Sequence, residues 1–376
     1  MPNLLFLTLK TFSATGGIEN VCKILGKALY EYSLLHNCSL RVLSMHDSAD
    51  NAVNNPYFPA DIFTGYNKAK ASYVWQAVSA ASANNIVILS HINLLLAGWL
   101  IKKIKPSTTI LLIAHGIEIW GELTSHQQLM LGCCHKIISV SQYTSHKVGI
   151  EQGVPDSRRC VLNNCIDPFL QRPRYKHRSP ALIAKYNIAE QDKVLLTLTR
   201  LSAKDRYKGY DFVLHAVAEL LQKNARVKYI LAGSYQPAEK KYLDGIIKKN
   251  KLAHAVIVTG YLPDAELAAH FSLADMYIMP SIKEGFGIVF IEAMYYGVPV
   301  VATNADGSTD ALLNGQLGQL IEPERVDEIV NAVDKIIANP SQYAPNFNLL
   351  MANFSYEKYK VNLYNIIDQL HTNHPN

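Results

Sequence analysis

Short apolar runs alternate with helix-period segments along the whole chain, and nothing else in the sequence limits the fold as strongly. In the first half the runs are NLLFLTL, SLRVLSM, NIVILSH, TTILLIAH and KIISVS; in the second they are KVLLTLTR, RVKYILAG, HAVIVTG, DMYIMPS and VPVVAT. Helical patterns separate them, the second half placing its own near Gly209–Leu221, Pro237–Lys249 and Asp264–Ser272. Runs that are apolar throughout belong to strands buried on both faces, which means parallel sheets with helices packed on either side. From Asn163 to about Gln191 the pattern breaks, and PFLQRPRYKHRSP is polar, basic and proline-rich, the composition of a linker. The expected fold class is α/β, with two Rossmann-like doubly wound domains facing a central cleft at the carboxyl ends of both sheets. The boundaries read 1–168 for the first domain, 169–190 for the linker, 191–355 for the second domain and 356–376 for a terminal helix.

Composition agrees with that organisation. A chain of 376 residues, 49% hydrophobic and 18% charged, suits two soluble domains. No apolar run is long enough to span a bilayer, and MPNLLFLTLKTFS lacks the basic region and cleavage site of a signal peptide, so a cytoplasmic location is expected. The six cysteines show no C-x-x-C pairing and no zinc-type histidine spacing, so they read as reduced thiols, and no metal is expected. Asn37-Cys-Ser and Asn353-Phe-Ser match the glycosylation triplet by chance on this reading. A net charge of +5 suits a phosphorylated ligand or an anionic membrane surface, and it is too diffuse for nucleic acid.

Four places carry candidate chemistry. In the first strand–helix turn, Gly16 and Gly17 precede an amphipathic helix, leaving amides and a positive helix end for an anion, although the spacing is not G-x-G-x-x-G. After the strand TTILLI, the stretch AHGIEIWGEL sets His115, Glu118 and Trp120 at the strand end. A neutral imidazole donates one hydrogen bond and accepts another, which suits a sugar hydroxyl, and an indole offers a flat face for a sugar ring. A structurally satisfied histidine is the ordinary alternative. In LTLTRLSAKDRYKGY, Arg200 follows a strand and Lys208 opens a helix, where two cations can neutralise a diphosphate; solvated surface charges are the plain alternative.

The fourth place is EGFGIVFIE, Glu284 to Glu292. Glu284 falls in a loop, Gly285 and Gly287 open a buried helix, and Glu292 lies inside it before Gly297 and Pro299 end it. A carboxylate accepts from hydroxyl pairs, and a glycine-opened helix end accepts phosphate. Glu284 on a sugar, the Gly285–Val289 amides on phosphates and Glu292 on a ribose would together fit a nucleotide-sugar.

The run E-G-F-G-x-x-x-x-E-A-M resembles the E-x7-E signature of the GT-B retaining glycosyltransferases of family 4. The likeness covers nearly the whole chain: GGIE at Gly16–Glu19, HGIEIW at His115–Trp120, SVSQYTS at Ser139–Ser145, VLNNCID at Val161–Asp167, the Arg200/Lys208 pair, AGSY at Ala232–Tyr235, GYLPDAEL at Gly260–Leu267 and MPSIKEGFG at Met279–Gly287. The closing FSYEKYKVNLYNIIDQL is similar to the family's last helices, which cross back onto the first domain. The order and combination of these pieces are specific; each piece alone is not.

The resemblance implies an acceptor-side first domain and a nucleotide-sugar-binding second domain. Gly16 and Gly17 would meet the donor phosphate, and His115, with Glu118 and Trp120, would lie on the acceptor side near the donor sugar. Arg200 and Lys208 would hold the diphosphate, and Glu284 would grip sugar hydroxyls. Phe286, Gly287, Ile288 and Val289 would line phosphate and sugar, Glu292 would bind ribose, and the base would lie near Tyr261 and Leu262. No cofactor or metal is implied. The donor would be a UDP-hexose, with GDP-mannose next, and the acceptor a glycan or lipid-linked oligosaccharide of polysaccharide biosynthesis. Two departures stand out: Cys165 replaces a glycine in N-C-I-D, and Gly307-Ser308-Thr309-Asp310 replaces G-G-x-x-E. A nucleotide-sugar epimerase of the same architecture and a non-catalytic sugar-binding protein are the rival readings, and a nicotinamide dehydrogenase lacks its fingerprint. INLLLAGWLIKKIK (Ile92–Lys105) reads first as a core helix with a basic end and second as an interfacial helix, which would make the protein peripheral on the inner face of a membrane.

Overall fold

The structure, a computed structural model, describes residues 3–173 and 177–372. Residues 174–176 of the expected linker and 373–376 of the expected terminal helix lie outside the described residues, as do residues 1 and 2. The chain divides into two units, one of Met1–Phe169 with Tyr356–Asn376 and the other of Leu170–Ser355.

The first unit is built on a parallel sheet of seven strands: β1 (Leu4–Thr8), β2 (Leu40–Ser44), β3 (Phe63–Gly65), β4 (Ile86–Leu89), β5 (Thr109–Ala114), β6 (Lys136–Ser139) and β7 (Arg159–Val161). Their order is β3-β2-β1-β4-β5-β6-β7. Leu4 of β1 stands between Leu40 and Ile86, and every residue of β1, β4 and β5 is buried, which is why these runs are apolar without alternation. The helices Gly17–Leu35, Lys70–Ala81 and Leu95–Ile104 cover the sheet with faces that include Leu25, Tyr73 and Ile101. The helix Tyr356–Thr372 completes this unit. Its Asp368 accepts from the Tyr32 hydroxyl at 2.7 Å, its Lys360 bridges to Glu31 at 3.2 Å, and Tyr364 meets the Tyr32 ring edge-on.

The second unit repeats the plan with β8 (Lys193–Leu198), β9 (Val227–Ala232), β10 (Val256–Gly260), β11 (Met276–Ile278), β12 (Val300–Thr303) and β13 (Gln319–Ile321). Its order, β10-β9-β8-β11-β12-β13, is all parallel and matches that of the first six strands of the first unit. Both sheets therefore reverse direction of winding once, between β1 and β4 and between β8 and β11, and such a reversal opens a crevice at the strands' carboxyl ends. Helices expected near Gly209–Leu221, Pro237–Lys249 and Asp264–Ser272 are found at Tyr210–Gln222, Pro237–Lys249 and Asp264–Leu273.

Three strands have no counterpart in the sequence reading. The edge strands FTG, RCV and QLI of β3, β7 and β13 are only three residues each and half-exposed in places, so they lack the apolar run that marks a buried strand. Within the 169–190 stretch, Pro180–Lys185 is helical, Arg178 pairs with Asp275, and the buried Tyr186 hydroxyl meets His270 Nε2 at 2.9 Å. Residues 178–188 are thus packed into the second unit.

One buried acid organises the first strand–helix loop. Asp47, fully enclosed just after β2, accepts from the backbone N–H of Thr11 at 2.7 Å and of Ser13 at 2.8 Å, with Phe12 N–H at 3.4 Å and the Ser44 hydroxyl at 2.6 Å. Successive N–H groups turned onto one carboxylate form an anion nest filled by the chain itself. Asp47→Ala should lower stability by on the order of 3 kcal/mol, because the Thr11–Ser13 donors would be left without an acceptor. Urea denaturation of the two proteins checks it, and a loss under about 1 kcal/mol would show that the loop re-pairs its donors elsewhere.

Candidate functional site

The loops after β8, β11 and β12 meet at the point where the second sheet reverses. Arg200 lies two residues past β8 and Lys208 ends the short 3-10 helix Ala203–Lys208. The Ile282 N–H donates to the Tyr207 carbonyl at 2.9 Å, joining the β8 loop to the β11 loop. The Glu284 N–H donates to Asp306 at 2.7 Å, and the Glu284 carbonyl accepts from Gly307 N–H at 2.8 Å, joining the β11 loop to the β12 loop. Lys208 and Glu284, chosen from the sequence, are therefore positioned by one connected set of bonds between these loops.

Lys208 Nζ and the Glu284 carboxylate form a direct ion pair, each side chain only 16% exposed. Burial alone would lower the lysine's pKa, but the charge of Glu284, then Tyr207, then the Glu284 hydrogen bond and Asp306 hold it above its ordinary value. Lys208 stays cationic at any physiological pH. Arg200 differs: its guanidinium is 76% exposed and touches Asp205 at 3.2 Å, so it is free to swing onto an anion. The turn bearing Lys208 is braced from behind, where the buried Glu239 takes the Arg206 guanidinium on both oxygens, at 3.0 and 2.9 Å, and the Tyr210 hydroxyl at 2.8 Å. Arg206 also lies over the Tyr242 ring, 3.6 Å from its centre.

Glycine is required at two points here. Gly287 caps the helix Ile288–Tyr295 at φ +84°, and a Cβ would strike the Phe290 ring at 2.3 Å. At Gly307 a Cβ would meet the Gly285 carbonyl oxygen at 2.2 Å, so only glycine lets the β11 and β12 loops touch. Glu292 lies within the helix, half-buried, as do Ile288 and Val289 at its start.

Other residues sit differently from their expected parts. Phe286 is buried and packs edge-on against Phe354, so its ring is core and only its backbone faces the loop. Leu262 is likewise buried, whereas Tyr261, just past β10, is 56% exposed. Asp306 was not anticipated. It is fully buried among Ser281, Glu284 and Ser308, and burial together with the Glu284 charge raises its carboxyl to about 6 against the lowering effect of the Ser308 hydrogen bonds.

In the first unit, Gly16 caps the helix that begins at Gly17, in an extended conformation open to any residue. His115 directly follows β5. Its Nε2 donates to the Ser90 carbonyl at 2.8 Å and its backbone N–H donates to Glu118 at 2.5 Å, so in the neutral ring Nδ1 is the acceptor. His91, after β4, accepts at Nδ1 from the Asn93 N–H at 3.1 Å; burial lowers its pKa, opposed by Glu118 and Glu19, with His115 lowering it further. The sequence reading missed His91, though it ends an apolar run just as His115 does. Trp120 is half-buried against the first unit's core and edge-on to Tyr143, so protein covers part of the face expected to stack on a sugar. Its indole N–H is buried without an acceptor.

The helix Leu95–Ile104 buries Leu95, Ala97, Gly98 and Ile101. Lys102 donates to the Pro106 and Thr108 carbonyls, and Lys105 to those of Ser82 and Asn84 at 3.0 and 3.1 Å, so both ammonium groups cap carbonyls inside the unit. Among the described residues no helix is long and apolar enough to cross a membrane.

Residues 179–361, which contain Arg200, Lys208, Asp306 and both glutamates of the E-x7-E run, match the family model described as glycosyl transferases group 1. That segment is similar to the glycosyl transferases group 1. The chain is 30% identical over 167 residues to a GDP-mannose-dependent alpha-(1-6)-phosphatidylinositol monomannoside mannosyltransferase of Mycolicibacterium smegmatis, covering 43% of this chain and 42% of the relative. It is 28% identical over 220 residues to a lipopolysaccharide 1,2-N-acetylglucosaminetransferase of Salmonella typhimurium, covering 55% and 54%. The chain spans about half the length of the curated relatives it matches. Among solved structures, Anabaena HepE in complex with UDP and glucose superimposes with a TM-score of 0.78 over 98% of this chain and 100% of that one, at 19% identity. The fold is accordingly that of the GT-B glycosyltransferases, two Rossmann-like units each carrying a parallel sheet.

Within this segment the Lys208–Glu284 pair predicts a specific stability pattern. Lys208→Met should cost about 3 kcal/mol by leaving the half-enclosed carboxylate without its cation. Adding Glu284→Leu should recover most of that loss. Equilibrium denaturation of both variants checks it, and additive losses would mean the two side chains do not depend on each other.

Proposed function

We propose that the chain is a retaining, metal-independent glycosyltransferase of family 4 that moves a hexose from a nucleotide-sugar to a hydroxyl of a glycan or lipid-linked oligosaccharide in polysaccharide biosynthesis. The observation that carries this reading is the junction of Arg200, Lys208 and Glu284 at the reversal point of the second sheet, inside the segment similar to the glycosyl transferases group 1. Two cations and a carboxylate there match the two ends of a nucleotide-sugar: phosphates for the cations, sugar hydroxyls for the carboxylate.

UDP-hexose is the leading donor and GDP-mannose the second. HepE, solved with UDP and glucose, favours the first; the GDP-mannose-dependent relative keeps the second in view. On this reading Tyr261 faces the base, the amides at the start of the Ile288 helix and the Gly17 turn meet the phosphates, and Glu292 takes the ribose. His115 offers Nδ1 on the acceptor side. On this reading the protein works in the cytoplasm, with peripheral contact at the inner membrane face where a lipid-linked acceptor would be met.

Retention follows from same-face transfer. The bond from the anomeric carbon to the diphosphate oxygen breaks, the acceptor oxygen bonds to that carbon on the same face, and the acceptor's hydroxyl proton passes to the departing phosphate. The protein's part is to position the reactants and to neutralise charge as it grows on the leaving group. In the unliganded chain Lys208 is engaged by Glu284; the arriving diphosphate competes for the ammonium and frees the carboxylate for sugar hydroxyls.

Nucleotide release from a panel of UDP-, GDP- and ADP-sugars in EDTA, with and without a glycolipid extract, tests the reading. Release from one donor, increased by the extract, is expected. Release that needs no acceptor and returns an isomerised donor would favour an epimerase, and binding without release would favour a sugar-binding protein. Arg200→Ala should lower kcat by about a hundredfold while weakening donor binding by less than about tenfold. Equal losses in the two would mean the guanidinium grips the donor without favouring the transition state.

A further inference from the structure

Asp306 takes no part in the donor contacts above, yet it holds the loop that presents Glu284. One of its oxygens accepts the Ser281 hydroxyl at 2.9 Å and the Glu284 N–H at 2.7 Å, and the other accepts the Ser308 N–H at 2.9 Å. Gly307 then returns a hydrogen bond to the Glu284 carbonyl at 2.8 Å, so Glu284 is held at both its N–H and its C=O by consecutive residues. The Thr303 hydroxyl donates to the Ser281 carbonyl from the same side. The charged groups that face Asp306 are Glu284, from the β11 loop, and Lys208, from the β8 loop.

All three partners of the carboxyl are positioned as donors, and an ionised carboxylate can accept from all of them. A protonated carboxyl must donate one bond of its own, which neither the Glu284 nor the Ser308 N–H can receive; only a serine hydroxyl, of Ser281 or Ser308, can turn to take it. We propose that Asp306 is a positioning residue whose ionised carboxylate fixes the Glu284 backbone at the distance where its side chain meets Lys208, and that protonating it slackens the loop and slows transfer. This rests on the reading of Glu284 and Lys208 as donor contacts. Burial and the neighbouring Glu284 charge bring the titration up to about 6, within the range an enzyme meets.

The test is the pH profile of kcat and of the donor KM for wild type, Asp306→Asn and Ser281→Ala, using the donor that the panel identifies. Wild type should lose kcat below a midpoint near 6. Asp306→Asn should lose about tenfold in kcat at neutral pH with KM within about threefold, and its profile should lack the acid limb. Ser281→Ala keeps the charge but removes one donor to it, so its acid limb should move to higher pH. An Asn variant within twofold of wild type, or one that keeps the limb, overturns the proposal. If the Asn variant does not fold, an unmoved limb in Ser281→Ala overturns it instead.

A donor-free measurement separates this proposal from the functional reading. The folded pKa lies above the unfolded value, so the group's contribution to stability is full below about pH 4 and is lost as pH rises through about 6. The melting temperature of wild type should therefore fall over that window relative to Asp306→Asn. Parallel curves would remove the buried titration even if the transferase assay succeeds. Divergent curves with no donor turned over would leave the Asp306 device intact and remove the transferase reading.

Discussion

Burial of both faces of two all-parallel sheets is the constraint from which the rest of the structure follows. A parallel strand cannot return by a tight turn, so each must be followed by a helix that crosses back over the sheet. Every strand then ends at the same edge, and the loops that lead into the helices gather there. In the second unit three of these loops, after β8, β11 and β12, bring Arg200, Lys208, Glu284 and Asp306 together from positions far apart in the chain. The chemistry of the site is a by-product of how the core must be covered.

Buried acids give those loops their shape. Asp47 collects N–H groups of the β1 loop, Asp306 those of the β11 and β12 loops, and Glu239 holds Arg206 and Tyr210 behind the turn of Lys208. Each carboxylate is enclosed and each is met by donors, although at Asp306 burial outweighs them and raises the carboxyl to about 6. The consequence for function is division of labour. The exposed Arg200 and the paired Lys208 and Glu284 face the ligand on the proposed reading, while acids with no access to solvent fix where they stand.

Much of this was legible from residues alone. The central strands, the glycine-capped helix that carries Glu292 and the Arg200, Lys208 and Glu284 set all follow from local pattern, because apolar runs and glycine positions report directly on burial and backbone shape. Asp306 was not legible: its partners Glu284 and Ser281 lie 22 and 25 positions away, and a lone aspartate in N-A-D-G reads as a turn residue. The parts given to Phe286, Leu262 and Trp120 fared differently for a related reason. An aromatic or leucine beside a site motif can face either the ligand or the core, and only packing against Phe354 or Tyr143 tells which.

What the sequence determined by itself was the layered α/β architecture, the identity of the cations and carboxylates, and the glycine at 287 that opens the helix. What only the tertiary structure decided was which charge meets which: Lys208 with Glu284, the exposed Arg200 with Asp205, Lys102 and Lys105 turned onto carbonyls, and Asp306 enclosed beneath the loop. Pattern along a chain encodes burial, because burial is set by periodicity within one element. Ion pairs and hydrogen bonds between loops depend on angstrom-scale distances between elements, and those exist only once the sheets have formed.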